Sequence, residues 1–274
     1  MKAFSQIKPV LVFIVLLWGT AAHAAPSAET VLEASPIDDI VAQYPAMMSQ
    51  GIRQGLKQSG RVPPFVADSI GQVVSGSYNA AEIQAQIVSD LEASLNDQQL
   101  QSVMEWYDTP VAKKIAKAEV AASRPEAWAE IQARAPELNR QFRGSERAGM
   151  FDRFDKASRA TESAVDTSIA VQLGLASALA AFKGDNGASF DQIQRQIEGQ
   201  RGMLEGMVSQ QVYDSYLFTY RDISAAELDL YIQFLESDAG SQFSQVVTNS
   251  IQQAITDPIE SIGSQMVRML SPAS

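Results

Sequence analysis

The densest run of reactive residue types is Glu105-Trp106-Tyr107-Asp108-Thr109-Pro110-Val111-Ala112-Lys113-Lys114: two acids, two large aromatics, a Thr-Pro step and a basic pair. A pair of carboxylates suffices for glycan cleavage, which needs neither imidazole nor thiolate. That makes Glu105, Asp108 and the later Glu236 the natural places to look for catalysis. Other chemistries are closed. The chain has no cysteine, and its single histidine is His23, inside a segment expected to be removed. Ser-His-Asp and Cys-His nucleophiles and the usual zinc sites all draw on those residue types. Asp185-Asn186-Gly187 invites a calcium loop, but the twelfth position from Asp185 is Gln196, not a bidentate glutamate. It reads as a turn.

The local pattern turns the first run from chemistry towards architecture. Thr109 before Pro110 is an N-cap followed by the helix position where a missing amide costs nothing. Ser237 before Asp238 solves the same problem with an acid on the helix dipole. Both read as helix starts, and no catalytic, cofactor-binding or metal-ligating residue is assigned. Tyr213, Tyr216 and Tyr220, with Met203 and Met207 upstream, could line a groove for an apolar ligand or partner helix, because methionine surfaces repack readily.

The elements that carry these residues are helices. Leu100, Val103, Met104, Tyr107 and Leu228, Tyr231, Ile232, Leu235 recur at i, i+3, i+4, i+7, and no alternating β-branched stretch appears. The expected fold is all-α. A gapless shift of 128 lays Leu95–Ala122 over Ile223–Ser250, pairing Trp106 with Phe234, Thr109 with Ser237 and Ala112 with Gly240. Asn96 with Gln99, and Ser224 with Glu227, read as capping boxes. Ser35-x-x-Asp38 falls on Ser163-x-x-Asp166 as a third pair of helix starts. This predicts a tandem duplication: two similar helical subdomains, residues 25–145 and 146–274, forming a pseudo-two-fold helical bundle. The structural signature is Trp106, Tyr107, Thr109, Pro110, Ala112, Phe234, Ser237 and Gly240. The junction falls between Arg124 and Arg159, and within it Arg134–Arg159 is the basic stretch of an acidic chain. Asp152/Lys156 and Asp155/Arg159 are spaced as favourable i, i+4 pairs on a solvated helix. Arg140 and Arg143 are its candidate contacts for an acidic partner.

Lys2 and Lys8, the apolar run Val10–Trp18 and Ala22-His23-Ala24 have the order of a cleaved secretory signal, cut after Ala24. The run is shorter than the roughly 20 residues a spanning helix needs. Expected, then, is a soluble periplasmic protein with no stable membrane anchor. Without Lys2 and Lys8, the 21 basic residues fall to 19 against 32 acidic, a net charge of −13 that repels nucleic acid.

Leu95–Lys114 resembles the domain of unknown function 2059 family, and Ile223–Gln242 looks like a second, degenerate copy without the proline and the basic pair. The resemblance implies an exported bacterial helical protein and supplies no catalytic residue. Glu236-Ser237 is similar to the Glu-Ser step of lytic transglycosylases, whose downstream Gly-Leu-Met-Gln-like segment is missing. The expected function is a non-catalytic interaction module, with an unidentified protein partner or self-association and no cofactor. A carboxylate-based cell-wall glycan hydrolase or lyase and a carrier of a small apolar ligand are the alternatives.

Overall fold

The computed structural model describes residues 25–60, 63–183 and 195–270. The expected signal segment and the Asp185-Asn186-Gly187 turn lie outside the described residues. The helices that organise the fold are α1 Ala28–Ala34, α2 Ile37–Val41, α3 Tyr44–Ser59, α4 Pro64–Ser77, α5 Ala80–Ser94, α6 Asp97–Tyr107, α7 Pro110–Ala122, α8 Ala127–Gln141, α9 Glu146–Ser158, α10 Ala160–Lys183, α11 Arg201–Thr219, α12 Ala225–Glu236 and α13 Asp238–Leu270. There is no strand among the described residues. No described helix is long and apolar enough to cross a membrane.

Local chemistry explains the helix starts. Asn96 and Ser224 each accept the N3 amide while Gln99 and Glu227 reach back to the cap amide, so both capping boxes close. Thr109 Oγ1 accepts from Ala112 N at 3.1 Å, with Pro110 opening α7. Ser237 Oγ accepts from Gly240 N at 3.1 Å, with Asp238 opening α13. The expected start at Ser163 is not one. Arg159 turns into the left-handed region (φ 54°), and Asp155 Oδ1 accepts from Thr161 N at 2.8 Å, so α10 begins at Ala160 and Ser163 lies inside it. The same turn removes Arg159 from the face of α9. Its expected partner Asp155 is used by Thr161, and Arg159 pairs with Glu162 at 2.7 Å instead.

Helix α13, 33 residues and so about 50 Å long, is the spine. Helices α10 and α5 lie along it. The main core draws from both sides of residue 145: Ile87, Leu91, Val103 and Ile115 pack in one cluster with Leu217, Leu228, Ile232 and Val247. The hairpin of α3 and α4 has a smaller core of its own, closed on α13 where the Tyr78 hydroxyl donates to the Ile255 carbonyl at 3.0 Å. Val165 and Ile169 of α10 meet Val208 of α11 in a third cluster.

Candidate functional site

Trp106 at the end of α6 stacks on Phe234 at the end of α12, with ring centroids 4.8 Å apart and planes within 9°. Tyr231 lies stacked beyond at 6.0 Å, and Tyr107 meets Phe234 and Phe243 edge-on. Such pairs add about 0.5–1.5 kcal/mol each beyond the area they bury. Two polar contacts flank the stack. Gln99 Nε2 donates to Asp238 Oδ2 at 2.9 Å, and Lys114 Nζ meets Glu227 Oε2 at 2.7 Å. In each, the N3 residue of one capping box meets the first turn or two of the helix after the one that the other box starts. Of the signature residues, Trp106 and Tyr107 meet Phe234 directly, Thr109 and Pro110 start α7, and Ser237 caps α13, where Gly240 lies against the Phe234 carbonyl.

The five residues expected to form a groove do not share a surface. Tyr216 and Tyr220 are buried and Tyr213 is half-buried, in a chain of ring contacts with Phe151, Phe154 and Tyr231. Met203 and Met207 stand exposed on α11. The physical reason is competition. Phe151 and Phe154 of α9 already cover the tyrosine face, leaving no open channel along it.

Two ionisable groups with their polar ends withdrawn from water went unnoticed in the sequence. Glu119 lies on the inward face of α7, after Ala112 and Ile115. The residue as a whole is only half-buried, but its carboxyl end is enclosed. The Tyr220 hydroxyl donates to Oε1 at 2.7 Å, and the Tyr231 hydroxyl lies beside it. Burial raises its pKa above the ordinary 4.5, and the two phenols offset part of that rise. Protonated Glu119 therefore stabilises the fold fully below pH 4.5, and the contribution is lost as pH rises through the folded-state pKa. Glu119→Gln should remove this loss. Urea unfolding between pH 4 and pH 8 checks it, and parallel pH profiles for the two proteins would refute it.

Arg147 is the second, 8 % exposed on the same face of α9 as Phe151 and Phe154. Its two terminal nitrogens donate to the carbonyls of Tyr220 and Ile223, just past the C-terminus of α11. The guanidinium lies 4.9 Å over the Phe142 ring, and the Tyr216 hydroxyl donates to the Arg147 carbonyl at 2.8 Å. Nε finds no partner. Either charge was legible as a polar residue breaking an apolar helical face.

Glu236, the candidate catalytic carboxylate, is gripped by Arg153 at 3.1 and 2.7 Å, and the same guanidinium holds Asp229 at 2.8 Å. Hydrogen bonding to Arg153 lowers both pKa values. Glu236 borders a cleft of about 450 Å³ between α9, α12 and α13. One wall is Arg153, Lys156 and Arg159; facing it, Ser241, Ser244, Gln245 and Thr248 recur at i, i+3, i+4, i+7 along α13. These four side chains make no hydrogen bond, and Lys156 no ion pair, among the described residues. A second cleft of about 300 Å³ meets the first at Lys156 and Arg159. Arg140 and Arg143 are exposed and lie outside both.

Residues 81–141 match a family described as "Uncharacterized protein conserved in bacteria (DUF2059)". The matched range takes in α5 to α8, including the first half of the joint, and ends before Ile223. No curated protein and no solved structure matches the chain.

Proposed function

We propose that this chain is an exported, non-catalytic binding module of the bacterial periplasm, built from two copies of one helical unit folded against each other. It takes its ligand or partner in the cleft between α9, α12 and α13. The carrying observation is that cleft, a concavity of about 450 Å³ with Ser241, Ser244, Gln245 and Thr248 of α13 on one side and Arg153, Lys156 and Arg159 on the other. The duplication is supported by Trp106 and Phe234, which occupy matching positions at a shift of 128 and stack on each other. Residues on a two-fold axis meet their own counterparts in this way. Export rests on the signal pattern of residues 1–24.

The alternatives have less behind them. A glycan-cleaving acid needs a raised pKa, whereas Glu236 and Asp229 are both lowered by Arg153. An apolar carrier needs an open apolar channel, and the tyrosine face that would provide one is packed.

A photoreactive residue placed at Ser244 tests the reading in cells. Cross-linked species are expected from position 244 and not from Gln101, an exposed residue of α6, and are lost on Lys156→Glu. Equal yields from 244 and 101, or yields indifferent to Lys156, would refute the cleft as the binding surface. A product whose N-terminus is not Ala25 would refute the export route.

A further inference from the structure

We propose that Trp106, Tyr231, Tyr220, Tyr216 and Tyr213 form a hole-conducting chain, which carries a one-electron oxidation from Trp106 at the joint to Tyr213 on α11. It does not involve the cleft and is independent of the binding-module reading above. The path is continuous. Between ring centroids, Trp106 lies 6.0 Å from Tyr231, Tyr231 6.1 Å from Tyr220, Tyr220 5.4 Å from Tyr216, and Tyr216 6.4 Å from Tyr213. Electrons tunnel readily across such gaps. Both end residues are half-buried and so reach solvent, while Tyr216 and Tyr220 are buried. Composition sets this path apart from a core built for packing alone. Five of the chain's seven tyrosines gather here, counting Tyr107. Phenylalanine would fill much the same volume with no hydroxyl to satisfy, whereas a buried phenol needs a partner. Phe151 and Phe154, whose rings resist oxidation, cover the path from α9.

A phenol gives up an electron readily when its proton has somewhere to go. The Tyr220 hydroxyl donates to Glu119 Oε1 at 2.7 Å, and Tyr231 lies beside the same carboxyl. The Tyr216 hydroxyl donates to the Arg147 carbonyl, too weak a base to take a proton, so Tyr216 passes electrons without holding the radical. The entering oxidant is an oxygen-centred radical. It takes one electron from Trp106 and a proton from water, leaving as an alcohol or hydroperoxide. Tyr220 returns an electron to Trp106 through Tyr231 while its phenolic proton moves to ionised Glu119. Tyr213 then reduces Tyr220 through Tyr216, Glu119 hands the proton back, and the Tyr213 proton leaves to solvent. The net change is one oxidant radical reduced and one phenoxyl at Tyr213. At neutral pH a phenoxyl is less oxidising than an indolyl radical, so the hole runs in this direction. Tyr107 of α6, Tyr231 of α12 and Tyr220 after α11 are the groups that act on Glu119, and none is a cation. Burial raises the Glu119 pKa, so transfer should speed up as pH rises through it.

The test is flash photolysis of the mature chain. The chain has no cysteine, so Ser102→Cys, exposed one turn before Trp106 on α6, takes a single ruthenium photo-oxidant. Trp128→Phe, at an exposed position of α8, leaves Trp106 the one indole after residue 24. After a flash, transient absorption should show the tryptophanyl radical decaying as a tyrosyl radical grows, and a nitroso spin trap should mark Tyr213. Tyr231→Phe should leave the tryptophanyl radical long-lived, while Tyr107→Phe, off the line, changes nothing. Tyr216→Phe is the second break and should keep the trap off Tyr213. Glu119→Gln should slow tyrosyl growth by roughly a hundredfold, the low end of what a positioned proton acceptor contributes, and flatten its pH profile. A tryptophanyl radical that decays as fast without Tyr231 would overturn the proposal. So would tyrosyl growth indifferent to Glu119 and to pH, or a trap that never marks Tyr213.

Discussion

Gly240→Ala is expected to lower stability by about 3 kcal/mol, a fall of roughly 6–12 °C in Tm for a chain of this size. A Cβ at that position would lie 1.9 Å from the Phe234 carbonyl oxygen and 2.7 Å from its carbon. These are backbone atoms and cannot rotate aside. The carbonyl is also fully used, accepting from Ser237 N at 3.0 Å and Ser237 Oγ at 2.6 Å. Relief would require α13 to move off the end of α12, taking Phe234 away from Trp106. The better helix propensity of alanine, at most about 1 kcal/mol, does not offset this. Gly149→Ala in α9 and Gly206→Ala in α11 are the controls. A Cβ at either meets nothing within 4 Å, so both should be neutral or slightly stabilising. Urea unfolding of the three variants checks the contrast, and three equal shifts would refute the role given to the joint.

Arg147→Met should cost about 3 kcal/mol. The substitution strands the Ile223 carbonyl, at about 1–3 kcal/mol for a buried acceptor left without a donor, and leaves the Tyr220 carbonyl with the Ile223 amide as its one donor. It also removes a cation from the negative end of α11. Methionine refills much of the volume, and losing a desolvated charge returns part of the loss, which keeps the total from going higher. Arg147→Lys should fall between the two, because an ammonium is a point charge and cannot reproduce the fork that spans both carbonyls. Unfolding midpoints at constant m-value would measure this. A methionine variant as stable as the parent would mean that the carbonyls are satisfied without Arg147.

How much could be read in advance differs residue by residue. The caps at Asn96, Thr109, Ser224 and Ser237 were legible because a cap is a contact between residues three apart, and its chemistry is written in adjacent letters. The inward faces of α6 and α12 were legible because 3.6-residue periodicity needs no partner to be seen. Tyr213, Tyr216 and Tyr220 formed a correct stripe with the wrong occupant. Whether an aromatic face is a groove or a core depends on what covers it, here Phe151 and Phe154 of α9. The expected Asp155–Arg159 pair failed because a left-handed residue ended α9 one position too early.

The sequence alone therefore determined the helical class, the starts of the principal helices, the absence of imidazole and thiolate beyond His23, and the sign of the net charge. Each follows from composition or from hydrogen bonds closed within a few residues. Tertiary structure decided that Trp106 faces Phe234, that the Glu119 carboxyl is enclosed by tyrosines and Arg147 is buried, that Glu236 belongs to Arg153, and that a polar stripe of α13 faces Lys156 across a cleft. Those are meetings between residues tens of positions apart, and only the packing of whole helices selects which of their faces touch.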